Sequence, residues 1–394
     1  MMDLLAIVPY YDAYLCRALQ QQGLRVTLAS ITYYLDPNCF SERRVRNRPG
    51  LLDLVAKLDL PSILRRPLKL FEAMLNILAT SLRLLVERPD VLHVQFLPLL
   101  RWRLPVENWF LLYSSHLGIK SVYTVHDLVP HDTGDRHEKR FARLYRMMDA
   151  LICHSEVAKQ QLVAHFGIPS DRIWVIPHGP FFHDCSPSCN PQIREKYQTS
   201  PGECLVLWHG LIFPYKGVEF LLDSWAKVQK AGMKARLVIA GTGGSELLGA
   251  IRSRAEALGI SDSVTFDFRF LPVEELTSLI RAADIVVYPY NKVTTSGALH
   301  TGMASGRAII ATNLAPFAEI LEHERSALLV TYGNAEELTA AIIRLVNEPE
   351  TRQRLGAEVM KLGSGDEAWQ TIAKKTVECY ASVLREEITP QSIS

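Results

Sequence analysis

Short apolar runs alternate with amphipathic stretches along the whole chain, and none approaches the roughly 20 residues needed to span a bilayer. That alternation predicts parallel sheets covered by helices, an α/β class. In the first half the runs are "LLAIV" (4–8), "RVTLA" (25–29), "VLHVQF" (91–96), "SVYTVHD" (121–127), "ALICHS" (150–155) and "IWVIPHG" (173–179). "PFFHDCSPSCNP" (180–191) is rich in turn formers, lacks periodicity and reads as a linker. The pattern restarts with "CLVLWHG" (204–210), "ARLVIAG" (235–241), "VTFDF" (264–268), "DIVVYPY" (284–290), "AIIATN" (308–313) and "ALLVT" (327–331). Two Rossmann-like domains facing each other across a cleft are therefore expected. Ligands in such sheets bind beyond the carboxyl ends of the strands. The expected boundaries are 1–185 and 186–364, with a closing segment 365–394.

Composition narrows the function classes. With 394 residues, 48% hydrophobic and 22% charged, the chain reads as a globular protein large enough for two cores. Lys plus Arg is 43 against 42 for Asp plus Glu, which argues against a nucleic-acid binder. Seven scattered cysteines suggest a reducing compartment rather than a disulfide framework. His183, Cys185 and Cys189 are close in sequence but lack a second ligand pair at zinc spacing, so no metal is expected there. The start "MMDLLAIVPYY" has no basic n-region and reads as a first strand, which favours a cytoplasmic location.

Residues 41–86 stand apart from this pattern. "ERRVRNRPG" and "ILRRPLKL" lead into "FEAMLNILATSLRLL", mixing Arg43, Arg44, Arg46, Arg48, Arg65, Arg66 and Lys69 with large aliphatics. Such an insertion suits peripheral contact with an anionic membrane, and equally a core helix with a charged lead-in. Trp102 between two arginines in "LPLLRWRLP" (97–105) favours the membrane.

Several strand ends carry candidate chemistry. His126 and Asp127 end "YTVHD"; the histidine suits proton transfer or a substrate hydroxyl, and could equally be satisfied by loop backbone. Tyr10, Tyr11 and Asp127 are candidate acceptor contacts, and His178 lies at the joint between the halves. "HGLIFPYKG" (209–217) sets Gly210 at a strand end and Lys216 just before a helix, where backbone N–H groups and a point charge suit phosphate. The alternative is an exposed turn with a solvated lysine. Thr295, Ser296 and Gly297 mark a loop-to-helix transition that suits an anion or a simple N-cap. Glu319, expected to begin a helical stretch, could accept ribose hydroxyls or favour that helix start. "GTGG" (241–244) lacks the full G-x-G-x-x-G spacing, which excludes a nicotinamide dinucleotide fingerprint.

In order, "HGLIFPYKGVEFLLDSW", "RLVIAGTGG", "VTFDFRFLPVEELTSLIRAADIVVYPY", "TTSGALHTGMASGRAIIATNLAPFAEIL" and "ALLVTYGNAEELTAAI" resemble the retaining nucleotide-sugar glycosyltransferases of the GT-B fold, similar to glycosyltransferase family 4. The likeness covers about 204–348 closely and extends more weakly upstream through "TVHD", "HSEVAKQQL" and "WVIPHG". It implies that Lys216, Gly210 and the Thr295–Ser296–Gly297 loop bind the donor diphosphate. Glu319 would bind the ribose, Phe270 and Leu271 in "FRFLP" would border the base, and His126 would face the donor sugar. "GDEAWQTIAKKTVECYASVL" (365–384) resembles the family's closing helix, which crosses back to the first domain with Trp369 as a packing anchor and lets the domains hinge. Two departures stand out. Leu211 and Phe213 occupy positions where the family often has arginine, and Val293 and Thr301 replace its Glu-x7-Glu pair. Some branches share the Ser–Gly loop, and Lys292 is the candidate replacement cation.

The resemblance implies transfer with retention of anomeric configuration and no essential metal. The donor would be a UDP or GDP sugar, and the acceptor a saccharide or lipid-linked molecule in polysaccharide or glycolipid synthesis. The lost arginine and glutamates leave a second reading, a non-catalytic nucleotide-sugar-binding partner of another transferase. An epimerase is disfavoured because carboxylates for proton abstraction are not evident.

Overall fold

The computed structural model describes residues 1–47, 51–55, 61–97, 99, 106–129, 137–184, 192–363 and 365–385, without the side chains of 62, 63, 65, 66, 365 and 366. Arg48, Arg65, Arg66, Trp102, Cys185 and Cys189 thus lie, wholly or by side chain, outside the described residues. The chain forms two compact units, Met1–Pro177 with Trp369–Ser394, and His178–Ala368.

In the first unit β1 (Val91–Val94), β2 (Lys120–Thr124), β3 (Ala150–Cys153) and β4 (Ile173–Val175) form a parallel sheet in that order. Two expected strands are absent as strands. "LLAIV" is a turn, because the Asp3 carboxylate accepts the amides of Ile7 at 2.6 Å and Val8 at 2.9 Å and wraps the chain into a helix starting at Pro9. Pairing there shrinks to single bridges from Met2 to Ala29 and Val94, and "RVTLA" contributes only bridges at Leu28 and Ala29.

The long helix Ser62–Glu87 bears on both readings of the 41–86 segment. Its buried face carries Ala73, Ile77 and Leu84, but also Glu72, Asn76 and Thr80. Glu72 accepts the amides of Leu54 and Val55, and Asn76 exchanges two hydrogen bonds with the Leu52 backbone, so the polar residues hold the preceding segment. The apolar residues Leu64, Leu68, Phe71, Leu78, Leu82 and Leu85 face outward, with Leu78 57% and Leu82 59% exposed. At 3.6 residues per turn they fall within a stripe roughly 100° wide. Trp109 and Leu112 of the helix Val106–His116 are exposed as well.

In the second unit β5 (Cys204–His209), β6 (Ala235–Ala240), β7 (Val264–Asp267), β8 (Ile285–Tyr288), β9 (Ala308–Thr312) and β10 (Leu328–Val330) form a parallel sheet ordered β10-β9-β8-β5-β6-β7. β5, β8 and β9 are buried throughout, as continuous apolar runs require in a sheet covered on both faces. Alternate residues feed opposite layers. Val206, Trp208, Leu237 and Ile239 pack with Leu221 and Trp225 of the helix Val218–Lys230, while Leu205, Leu207, Val238 and Ala240 pack with Leu279 and Leu299.

Candidate active site

Strand order reverses between β5 and β8, which pair through Val206 with Ile285 and Leu207 with Val286. β5 leads to β6 and β7 on one side, and β8 leads to β9 and β10 on the other. Their carboxyl ends therefore open a crevice, the usual ligand position in such a sheet. The turn after β5 is shaped by close approach. A Cβ at Gly217, where φ is +70°, would lie 1.8 Å from the Pro289 carbonyl oxygen. One at Gly241, where φ is +145°, would lie 1.8 Å from the Gly210 carbonyl oxygen. Only glycine fits either backbone contact.

Between them, a single 3-10 turn (Pro214–Lys216) directs Lys216 back over the strand end. Its Nζ sits 5.4 Å from the Tyr290 ring centroid. A Cβ built at Gly210 would lie 3.5 Å from that Nζ and 3.8 Å from Ala298 Cβ, so the lysine and the start of the next helix flank one point. That helix, Gly297–Ala304, is capped by the Ser296 hydroxyl, which accepts the Leu299 amide at 3.2 Å. The amides of Gly297 and Ala298 belong to a first turn that has no intrahelical acceptors.

Buried groups fix this start. Tyr288 Oη donates to the Ala298 carbonyl at 2.8 Å and so accepts from His209 Nε2 at 2.9 Å. His209 is held at about 3, first by burial and then by the nearby Lys216 charge. The imidazole stays neutral and leaves the positive charge to the lysine. Tyr290 Oη lies 3.4 Å from Ser296 Oγ, completing the support. His209, Tyr288 and Tyr290 were not among the sequence candidates. Their position at the ends of two apolar runs was the available signal.

The other second-unit candidates spread along the same carboxyl edge. Lys292 is exposed in the loop after β8, which the Asn291 amide ties to the Tyr215 carbonyl at 2.9 Å. Thr295 is half-buried beside the cap. Glu319 is exposed after β9, at the C-terminal end of the short helix Ala315–Ala318 rather than at a helix start, so the expected dipole role does not apply. Phe270 is half-buried after β7, whereas the Leu271 side chain is buried in the core with Leu279 and Tyr288.

The first-unit candidates meet in a buried imidazole cluster at the carboxyl ends of β1, β2 and β3. His126 Nε2 lies 2.9 Å from the Gln95 amide oxygen, and its Nδ1 lies 3.3 Å from His154 Nε2. His154 Nδ1 reaches the Ile176 carbonyl at 3.0 Å. His93 joins Tyr380 Oη at 2.6 Å and Thr124 Oγ1 at 2.7 Å. Burial drives His126 well below the ordinary imidazole value, with the neighbouring His154 and His93 adding to it. It likewise lowers His154 to about 4 and His93 to about 3. His126 Nε2 thus donates to Gln95, and its Nδ1 faces His154 inside the unit.

Tyr11 is buried, its ring packed edge-on to His126 at 4.8 Å and against Trp369 at 5.4 Å, while Tyr14 stacks on Trp369. Tyr10 is half-buried and donates to Asp36 at 2.9 Å. Asp127 is half-buried just past His126. Gln95, His93 and His154 were missed from the sequence, although "CHS" ends a strand as "VHD" does. Among the described residues no cluster of metal-binding side chains is found, and no helix is long and apolar enough to cross a membrane.

Residues 11–179 match the model for Glycosyltransferase Family 4, and residues 203–348 match that for Glycosyl transferases group 1. A D-inositol 3-phosphate glycosyltransferase of Segniliparus rotundus is 26% identical over 286 residues, covering 70% of this chain. The chain spans 63% of that protein's length. Among solved structures, Anabaena HepE in complex with UDP-glucose superposes with a TM-score of 0.76 at 15% identity, covering 97% of this chain and 98% of the other. WaaG, a glycosyltransferase involved in lipopolysaccharide biosynthesis, gives 0.65 at 14% identity, covering 95% and 96%.

Proposed function

Because this chain belongs to the GT-B nucleotide-sugar glycosyltransferases of the family 4 type, we propose that it moves a hexose from a nucleotide-diphosphate sugar to a saccharide or lipid-linked acceptor. The observation that carries this is Lys216 Nζ beside the first turn of the helix Gly297–Ala304, at the switch point of the sheet. A cation and outward amides at one point suit a diphosphate, whose charge grows as the sugar–phosphate bond breaks. Lys292 adds a second cation, Glu319 takes the ribose, and the backbone around Phe270 and Leu271 borders the base. HepE binds UDP-glucose, which favours UDP as the nucleotide.

Transfer is proposed to retain configuration. The acceptor oxygen bonds to the anomeric carbon on the face that the diphosphate leaves, and its proton passes to the departing phosphate oxygen. His126, with Nε2 donating to Gln95 and Nδ1 facing His154, would present its ring edge to the sugar, and Tyr10 and Asp127 would lie nearest the acceptor. No metal takes part in this scheme, so a chelator should leave the rate unchanged. The outward apolar stripe of the helix Ser62–Glu87 supports a peripheral membrane position and an acceptor at that surface.

A second reading keeps the donor site without turnover. Leu211 and Phe213, both exposed at the turn, supply no charge where the family often has arginine. A thermal-shift series with UDP, GDP, ADP and their sugars tests the donor site. Stabilisation by one nucleotide, lost in Lys216→Ala with a fall in affinity of about tenfold or more, is the expected result. An equal shift in the variant would overturn the site. Donor hydrolysis or transfer then separates enzyme from binder, and an inverted product would overturn retention.

A further inference from the structure

The edge strand β7 leaves the sheet through "DFRFLP" (267–272), the turn whose backbone borders the base in the reading above. Apolar anchors hold this turn from inside. Phe268 packs on Phe266 at 5.0 Å and lies 5.1 Å below the Arg252 guanidinium. Leu271 is buried with Leu279 and Tyr288. Pro272 sits at the N-cap of the helix Val273–Ala282, where its ring fixes φ at −54°.

Arg269 closes the same turn from the solvent side. It is 45% exposed, yet two carboxylates hold its guanidinium. Nε and Nη2 reach the two oxygens of Asp267 at 2.7 and 3.0 Å, a bidentate fork. Nη2 also donates to Glu275, in the first turn of the helix Val273–Ala282. Tyr197 Oη donates to Asp267 at 2.8 Å, and Lys196 pairs with Glu275, so two cations balance two anions. The Asp267 carbonyl accepts the Gly241 amide at 2.9 Å, and the Gly241 backbone packs directly on Gly210 of the proposed donor turn. An isolated surface ion pair contributes little, but a forked pair inside a network fixes geometry.

We propose that Arg269 is a positioning residue for nucleotide recognition, holding the backbone at Phe270 where it meets the base. Recognition by a turn needs its groups placed to within about 0.5 Å. The fork ties the turn back to the strand end, and the bond to Glu275 ties it forward to the next helix. Because both carboxylates balance its charge, Arg269 acts on the base through the turn rather than by touching phosphate. The proposal rests on the donor-site reading and adds to it a device that selects among nucleosides carrying the same diphosphate.

The test is calorimetric titration of the full chain with UDP and GDP, which share diphosphate and ribose and differ in the base. The wild type should prefer one of them by about tenfold or more. Arg269→Met keeps an unbranched stem and loses the fork, and should narrow that preference by about fivefold or more. Glu275→Gln should narrow it too, because a neutral amide holds the guanidinium more weakly. Lys216→Ala should weaken both nucleotides alike and keep their ratio. An unchanged ratio in both network variants would overturn the proposal and leave the donor site standing. So would equal affinities in the wild type, or failure of both network variants to fold, which melting curves without ligand report. Binding of neither nucleotide by the wild type would overturn the donor-site reading and this proposal with it.

Discussion

His154 shows how much one side chain's surroundings decide. Its Nδ1 must donate to the Ile176 carbonyl, and burial holds the ring neutral down to about pH 4. The unfolded chain takes up a proton near the ordinary value of about 6.5. Between those values the unfolded state binds a proton that the folded state refuses. This group's contribution is therefore fully present above about 6.5 and declines by about 1.4 kcal/mol per pH unit down to about 4. Buried Asp3, raised to about 6 chiefly by burial, pulls the other way, because protonating it in acid favours the fold. The clean observable is thus a difference between two chains that share Asp3. Urea midpoints at pH 7.5 and pH 5 should separate further for the wild type than for His154→Gln, in which glutamine can still donate to Ile176. Parallel acid limbs would sink the assignment. His126 has the same ancestry. Its neighbours Gln95 and His154 lie 31 and 28 residues away in sequence, so no local pattern could reveal what its two ring nitrogens face.

At the scale of elements, the helix Ser62–Glu87 ends on Arg88 at φ +39°, a left-handed C-cap without glycine's freedom. Arg88→Gly should raise stability by about 1 kcal/mol, read as a higher urea midpoint. An unchanged or lower midpoint would mean that the side chain offsets the strain. The same helix marks the limit of what periodicity reveals. Its apolar stripe was legible, but the side on which it lies was not. Glu72, Asn76 and Thr80 resemble a solvent face until the backbone of 52–55 supplies partners for two of them. The second-unit strands were legible because strands buried on both faces read as unbroken apolar runs. The first-unit edge was not, since a single carboxylate, Asp3, turns "LLAIV" away from the sheet. In the site, Gly210, Lys216 and Ser296 were legible as a glycine turn and a cap. The His209–Tyr288–Ala298 chain was hidden inside strands that look purely apolar.

For the whole molecule, the unanswered demand is the outward stripe. Leu64, Leu68, Phe71, Leu78, Leu82 and Leu85, joined on the first unit by exposed Trp109 and Leu112, make an apolar face with nothing over it among the described residues. A bilayer surface satisfies it in part by taking the side chains into the acyl boundary. Arg83, nearer to the stripe than the other basic side chain described on this helix, adds attraction to anionic headgroups, about 1 kcal/mol close to the surface. The chain should therefore co-sediment with vesicles containing phosphatidylglycerol. Salt should weaken this binding without abolishing it, because screening acts on the charges and not on the buried leucines. Each fully buried leucine is worth about 1.5–3 kcal/mol. The double variant Leu78→Glu, Leu82→Glu should therefore bind at least about tenfold more weakly. Both side chains are more than half exposed, so the fold should move by no more than about 0.5 kcal/mol per substitution. Sedimentation of the double variant at wild-type level would remove the stripe from any membrane role. A shift from dimer to monomer without vesicles would assign the face to a second copy of the chain instead. Loss of vesicle binding with an unchanged melting curve and nucleotide response would assign membrane docking to the first unit and leave the proposed donor chemistry to the second.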